Sequence, residues 1–174
     1  MRKANYRLES KRPLGKLLQS GLLMVGLSRE EIEETFGIRS VLESYAARLA
    51  AIKHEKEDLG PLEEKMEEFR HHLHRGEIEA LPRINKEFHN LLYGLSRSPT
   101  LIKMIDDLQE DIHFLGKILL NKKEAARQSN DDHLKIYKAI MERDANRVET
   151  LVRKHILRGQ KLALKELGNW TIKI

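Results

Sequence analysis

The chain has 174 residues, of which 40% are hydrophobic and 34% charged, with a net charge of +5 and no cysteine. This length suits one well-buried domain with a short appendage, and the composition excludes a disordered chain. Without cysteine, disulfides, thiolate metal ligands and cysteine nucleophiles are excluded. No apolar run is long enough for a membrane span or a signal peptide, so a cytoplasmic protein that does not enter a membrane is expected.

The positive charge is concentrated at the N-terminus. The first sixteen residues contain six basic side chains and one acidic one, which equals the whole net charge of +5. The rest of the chain is balanced, with 26 basic and 26 acidic residues, as is typical of a solvated helical surface. Residues 1–27 are therefore predicted to form a basic segment, and any contact with DNA is expected there.

The first helix is predicted from Arg29 to about His54. Ser28 can cap it, and Glu31 can close a capping box. Apolar residues recur along it at three- and four-residue steps, which predicts one broad buried stripe. The stripe comprises Ile32, Phe36, Ile38, Val41, Leu42, Tyr45, Ala46, Leu49 and Ile52.

Five further helices follow from the same periodicity and from caps, prolines and glycines. They are predicted at residues 59–75, 82–95 and 99–121, over a stretch that includes 130–142, and from a cap at Asp144 to Gly168, which marks the end of the last helix. No solenoid repeat and no strand pair is evident. The sequence thus predicts an all-α antiparallel bundle of about six helices over residues 28–174.

The eight histidines fall into two predicted environments. Five lie among charged residues and are expected to face solvent: His54, His71, His72, His74 and His113. The other three, His89, His133 and His155, lie on the apolar sides of three separate helices. One inward histidine is more often a hydrogen-bonded core residue than a ligand. Three on separate helices make a shared metal site an equal alternative.

Asn85 adds a fourth candidate ligand, because it stands four residues before His89 and shares its helix face. Three neutral imidazoles and one amide oxygen suit zinc, nickel, cobalt or iron better than calcium or magnesium. If the site exists, a divalent transition metal is therefore the expected ion, with zinc or nickel favoured.

Several segments resemble the C-terminal (FCD) effector-binding domain of FadR-type GntR transcription regulators. Residues 27–51, LSREEIEETFGIRSVLESYAARLAA, resemble its opening helix. The segment NKEFH at residues 85–89 is similar to the family's Asp/Asn-x-x-Phe-His motif, Asp132-His133 to its acidic-His step, and Lys154-His155-Ile156 to its final His-Ile. The resemblance covers residues 27–167. It implies a ligand-sensing regulator and not an enzyme, a homodimer, and a metal held by Asn85, His89, His133 and His155.

The family's pattern is altered at two places. Asn85 replaces the commoner Asp, which removes a negative charge, so we expect weaker metal binding but a stronger preference for an anionic effector such as a small carboxylate. Arg39 is the candidate second contact to that carboxylate, with an internal ion pair as the alternative. The segment before Leu27 is too short for the winged helix-turn-helix of the family. Autonomous DNA binding is therefore expected to be impaired or absent.

Two other classes of function remain alternatives. A metal-dependent hydrolase would use the same histidines, but Glu87 and Asp132, the nearest acidic residues, are badly placed to act as a general base. A structural dimerisation protein would instead use the three histidines as core residues.

Overall fold

A computed structural model describes the backbone of residues 28–171, and the side chains of this range except 110–114 and 168–171. The basic segment of residues 1–27, and the domain boundary predicted after it, lie outside the described residues.

The described part consists of six α-helices and two short 3-10 turns. The helices are α1 (Arg29–Lys53), α2 (Leu59–Arg75), α3 (Leu81–Gly94), α4 (Pro99–Leu120), α5 (Lys123–Met141) and α6 (Ala145–Thr171). The turns are Lys56–Asp58 and Ile78–Ala80. Within this range there is no strand, which confirms the predicted all-α class, and no helix there is long and apolar enough to cross a bilayer.

The predicted caps form at the start of α1 and at the end of α2, whereas the Ser98 side chain makes no capping hydrogen bond at the start of α4. The Ser28 hydroxyl accepts a hydrogen bond from the Glu31 amide, and the Glu31 carboxylate accepts one from the Ser28 amide. These two bonds satisfy donors that the first turn of α1 would otherwise leave unpaired. Gly76 ends α2 with a φ of 74°, a left-handed conformation that glycine adopts without steric cost.

One predicted helix boundary is wrong, because α6 continues through Gly168 to Thr171. Helix α5 contains nearly all of the stretch predicted to be helical and begins seven residues before it, at Lys123. The added residues 123–129 include only two apolar side chains, both alanines, so they show no apolar period from which a helix can be predicted. A glycine inside a helix costs only about 1 kcal/mol relative to alanine, which a long helix tolerates.

Helix α1 contacts several of the other helices along one side. It packs most extensively against α6 and also contacts α3, α4 and α5. Small residues occupy much of its buried side, namely Ser40, Ser44, Ala46, Ala47, Ala50 and Ala51. Small side chains allow neighbouring helices to approach closely.

The predicted buried stripe of α1 is wrong for four of its large residues. Ile38, Val41, Tyr45 and Ile52 are exposed by 44, 50, 49 and 53%. Ile32, Phe36 and Ala46 are buried as predicted, while Leu42 and Leu49 are half-buried. Apolar residues occupy a larger part of the α1 circumference than the part that faces the core. The part that faces the core is occupied mainly by the small residues. The larger side chains therefore remain on the outer face.

Candidate metal and effector site

Three histidines from three helices meet inside the bundle. His89 on α3 and His133 on α5 are buried, and His155 on α6 is half-buried. One ring nitrogen of each lies within 4.8 Å of the others, and the ring centroids are 5.1 to 5.2 Å apart. Buried apolar neighbours at helical spacing turn each one inward, as Phe88 and Leu92 do around His89. The structure thus brings together the three histidines that the sequence singled out.

A hydrogen-bonded chain fixes the tautomer of His89. The Tyr93 hydroxyl donates its single proton to the Glu43 carboxylate, so its oxygen is left to accept from His89 Nδ1, 2.9 Å away. Burial raises the pKa of Tyr93, and the Glu43 charge raises it further, so the phenol stays protonated. His89 Nε2 therefore carries the lone pair, the form in which an imidazole binds a metal.

Asp132 fixes the tautomer of His155 in the same way. Its Oδ2 accepts from His155 Nδ1 at 3.1 Å and also from the Arg158 guanidinium. Burial alone would raise the pKa of Asp132, but the hydrogen bond from His155 and the charges of His155 and Arg158 together lower it. The ionised carboxylate holds the proton on His155 Nδ1 and leaves a lone pair on Nε2.

The ring of His133 has an unsatisfied polar atom. It stacks on Phe88 with centroids 4.2 Å apart, and its Nδ1 is buried without a hydrogen-bond partner. Its Nε2 lies 3.4 Å from the Ser129 hydroxyl. An unpaired buried nitrogen costs about 1–3 kcal/mol. A buried ring with an orphaned nitrogen, next to two oriented imidazoles, fits a site built for a cation.

Burial also keeps two of the candidate ligands uncharged. It lowers the pKa of His89 and of His133 well below 6.5, and the interaction with the neighbouring His155 lowers both further. Neutral imidazole is the form that binds a metal ion. At neutral pH His89 and His133 are therefore in their ligating form.

Asn85 and Arg39 both border the cavity beside the histidines. Asn85 Oδ1 accepts from the Ser129 hydroxyl at 3.3 Å, and its role as a fourth ligand stays a prediction. The Arg39 guanidinium pairs with Glu43 at 2.5 Å and lies 5.1 Å from the Phe36 ring centroid. The structure therefore contains the internal ion pair considered from the sequence, in a side chain that also lines the cavity.

The cavity itself encloses about 160 Å³ between α1, α3, α4, α5 and α6. This is below the roughly 300–1,000 Å³ of pockets that take drug-sized ligands, so a small molecule fits it best. His89 and His155 border it, and its polar lining comprises Arg39, Asn85, Lys86, Gln109, Gln128, Ser129, Asp132 and Arg158.

The five histidines expected to face solvent have different surroundings. His71 and His74 are exposed as predicted, whereas His72 is partly buried and pairs with Glu77 at 2.7 Å. The prediction for His54 is wrong, because it is only 3% exposed and its Nδ1 lies 3.0 Å from the Ala50 carbonyl at the end of α1. The side chain of His113 lies outside the described residues.

Sequence reasoning missed the residues that orient the histidines. Tyr93 follows His89 by four residues and Ser129 precedes His133 by four, so helical spacing alone could have suggested both. Glu43 and Arg158 reach the site from other helices. No local pattern reports such contacts.

Neither acidic residue near the motifs is free to act as a general base. Glu87 pairs with Lys65 and with Arg83, each at 2.7 Å, and hydrogen bonds from these two residues lower its pKa. Asp132 is engaged by His155 and Arg158. This arrangement favours ligand binding over hydrolysis.

Sequence comparison identifies similar proteins among bacterial regulators. The sequence model of the FCD domain matches residues 34–158. The chain is 25% identical over 138 residues to the uncharacterized HTH-type transcriptional regulator YdhC of Bacillus subtilis (strain 168), covering 79% of this chain and 62% of that protein. It is 27% identical over 158 residues to the Nta operon transcriptional regulator of Aminobacter aminovorans, and the match covers 90% of this chain and 72% of that protein. The chain thus spans under two thirds of YdhC.

Solved structures share the fold. Escherichia coli McbR/YncC superposes with a TM-score of 0.74 at 20% identity, over 80% of this chain and 70% of that one. Streptococcus agalactiae GntR superposes with a TM-score of 0.65 at 20% identity, over 86% of this chain and 75% of that one. The curated relatives are transcriptional regulators and not enzymes, in agreement with the non-enzymatic prediction.

Proposed function

The chain belongs to the FCD domain family of GntR-type transcriptional regulators, and from this premise we propose that it is a metal-dependent sensor of a small organic acid. The observation that carries the proposal is the convergence of His89, His133 and His155 from three helices, with His89 and His155 bordering the cavity. Two of these rings present an Nε2 lone pair because Glu43, through Tyr93, and Asp132 fix their tautomers. Such orientation by outer partners is common around metal-binding histidines.

The ion would be held by His89, His133, His155 and Asn85, with zinc or nickel favoured by this nitrogen-rich set. When bound, it supplies open coordination positions for an effector oxygen. All four protein ligands are neutral, so they leave the charge of the ion uncompensated. An anionic carboxylate is therefore preferred over a neutral ligand.

Metal dependence of carboxylate binding tests this function. We expect calorimetric titration of acetate into the zinc-loaded chain to show binding that weakens by at least about tenfold after chelation, or about 1.4 kcal/mol. Acetamide, which has a similar shape but no charge, serves as the matched control and should bind weakly in both states. Equal acetate affinity with and without metal would contradict the proposal.

The proposed DNA contact rests on charge alone. The basic segment of residues 1–27 can neutralise phosphates, which gives salt-dependent binding that does not depend on sequence. We therefore propose that residues 1–27 bind DNA without preference for a particular sequence. Fluorescence anisotropy with two unrelated duplexes checks it, and a clear preference for one of them would contradict it.

We also propose that the chain forms a homodimer through the outer face of α1. Between Thr35 and Ala51, the only exposed residues of this helix are Ile38, Val41 and Tyr45. Ile38, Tyr45 and Ile52 are spaced by seven residues, which is the spacing of a coiled-coil seam.

The spacing is symmetrical about Tyr45. In an antiparallel pair of α1 helices crossing at Tyr45, Ile38 would meet the partner's Ile52, and Ile52 the partner's Ile38. A two-fold interface requires such a self-complementary surface. The exposed apolar face therefore fits a second copy of this chain.

Tyr45→Glu is expected to give a monomer. Two like charges would face each other on the two-fold axis, and the dimer should weaken by at least about tenfold, or about 1.4 kcal/mol. Sedimentation should show twice 20.3 kDa for the wild type and 20.3 kDa for the variant. Leu134→Glu, at a residue of α5 that is 39% exposed, is the control and should remain dimeric. A wild-type monomer would rule out this interface.

A further inference from the structure

The cavity beside the histidines extends along the bundle in successive helical turns. On α6 its lining residues pass from His155 through Gly159 to Leu162, and on α3 they pass from His89 to Pro82. Seven residues of an α-helix rise about 10 Å. The cavity therefore reaches about 10 Å from a histidine end to a second end two turns away.

The second end is apolar. Helix α4 lines the cavity with Leu115, Leu119 and Leu120, of which Leu115 and Leu120 are buried. Pro82 and Leu162 face it from α3 and α6. Gly159 lies between the two ends, where an added Cβ would come within 3.2 Å of the Phe36 ring. The missing side chain at this position allows the Phe36 ring, which also lines the cavity, to pack directly against α6 between the two ends.

The cations that line the cavity offer little to a second carboxylate. Arg39 is paired with Glu43, and Arg158 is paired with Asp132. Lys86, the remaining described cation of the lining, is exposed, where charge interactions are weak. We therefore expect the cavity to accommodate a ligand with one anionic group, which lies at the metal.

Building on the proposed function, we propose that the effector is a monocarboxylate with an unbranched apolar chain, and not a dicarboxylate or tricarboxylate. The carboxylate occupies the histidine end, and the chain extends past Gly159 to the leucines of α4 and Leu162. A chain of about six carbons suits a span of about 10 Å. Burial of that chain against leucine supplies affinity that acetate lacks.

A chain-length series tests this assignment with the zinc-loaded chain. Calorimetric affinity should rise from acetate through butyrate to hexanoate, by about fourfold for each added CH₂. Adipate has the same six-carbon length as hexanoate but ends in a second carboxylate. It should bind at least about tenfold more weakly than hexanoate, because that carboxylate loses its hydration against leucine.

Leu162→Ser provides the matched variant, and Leu134→Ser on the outer surface is its control. The first should lower the ratio of hexanoate to acetate affinity by about tenfold, and the second should leave the ratio unchanged. Metal content is measured in both to verify that the histidine end is intact. Adipate or citrate binding as tightly as hexanoate, with metal still required, would overturn this inference and leave the proposed function standing. Failure of every carboxylate to bind would overturn both.

Discussion

His133→Ala is expected to abolish stoichiometric metal binding. The ring supplies one of three nitrogens that lie within 4.8 Å of each other, and its Nδ1 is buried without a hydrogen-bond partner in the described structure. Loss of an outer partner of a metal ligand typically costs 10–100-fold in affinity, so removal of the ligand itself should cost more than about 100-fold. Elemental analysis of untagged protein after zinc or nickel loading measures the effect.

The control for this experiment is His74→Ala, because His74 is exposed at the end of α2. It should bind as much metal as the wild type. His133→Gln keeps more of the side-chain volume, and its circular dichroism and melting temperature show whether lost metal reflects lost folding. If a folded His133 variant still bound one ion per chain, the proposed metal site would be contradicted, and the three histidines would be core residues.

Metal should also stabilise the wild type against unfolding. An ion that binds only the folded state adds about 2.7 kcal/mol when its free concentration is 100 times its dissociation constant. The same addition should leave the stability of His133→Ala nearly unchanged. Comparison of both proteins with and without chelator separates this effect from the loss of packing on Phe88.

Local sequence patterns predicted much of the fold and the inward direction of three histidines. His89, His133 and His155 each carry apolar neighbours at helical spacing, and this periodicity depends only on their own helix. The capping box at Ser28 is equally local. The convergence of the three rings depends on how α3, α5 and α6 pack, which periodicity does not report.

The outer face of α1 shows where periodicity fails. Tyr45 and Ile52 fit an apolar stripe as well as Phe36 does, but alanines and serines occupy the side of the helix that is buried. A helix that is apolar over most of its circumference does not reveal which side faces the core. Packing against α6 determines which side of α1 is buried. The opposite side is left as an exposed apolar face.

Glu43→Ala is expected to be among the most destabilising single substitutions in the chain. Glu43 is fully buried and accepts from both Arg39 and Tyr93. The Arg39 side chain is only 11% exposed, and removal of Glu43 leaves its positive charge without a partner. Breaking a buried ion pair in this way costs about 3–5 kcal/mol. Urea unfolding in the presence of chelator measures this free energy without a contribution from metal.

Glu33→Ala is the matched control, because Glu33 pairs with Arg29 on the exposed face of the same helix. Exposed pairs contribute about 0–1 kcal/mol, so this variant should unfold almost as the wild type does. A cost for Glu43→Ala no larger than that of the control would mean that Arg39 finds water or another acceptor once Glu43 is gone.

The double variant Arg39→Met/Glu43→Ala separates stability from ligand orientation. Removing both charges should recover much of the stability, because no buried charge is then unpaired. Tyr93 still lacks its carboxylate acceptor, so its hydroxyl can donate to His89 Nδ1 instead of accepting from it. That exchange moves the imidazole proton to Nε2, where it blocks metal binding. A stable double variant with metal affinity reduced by about 10–100-fold would assign Glu43 to setting the His89 tautomer, and unchanged affinity would confine its role to stability.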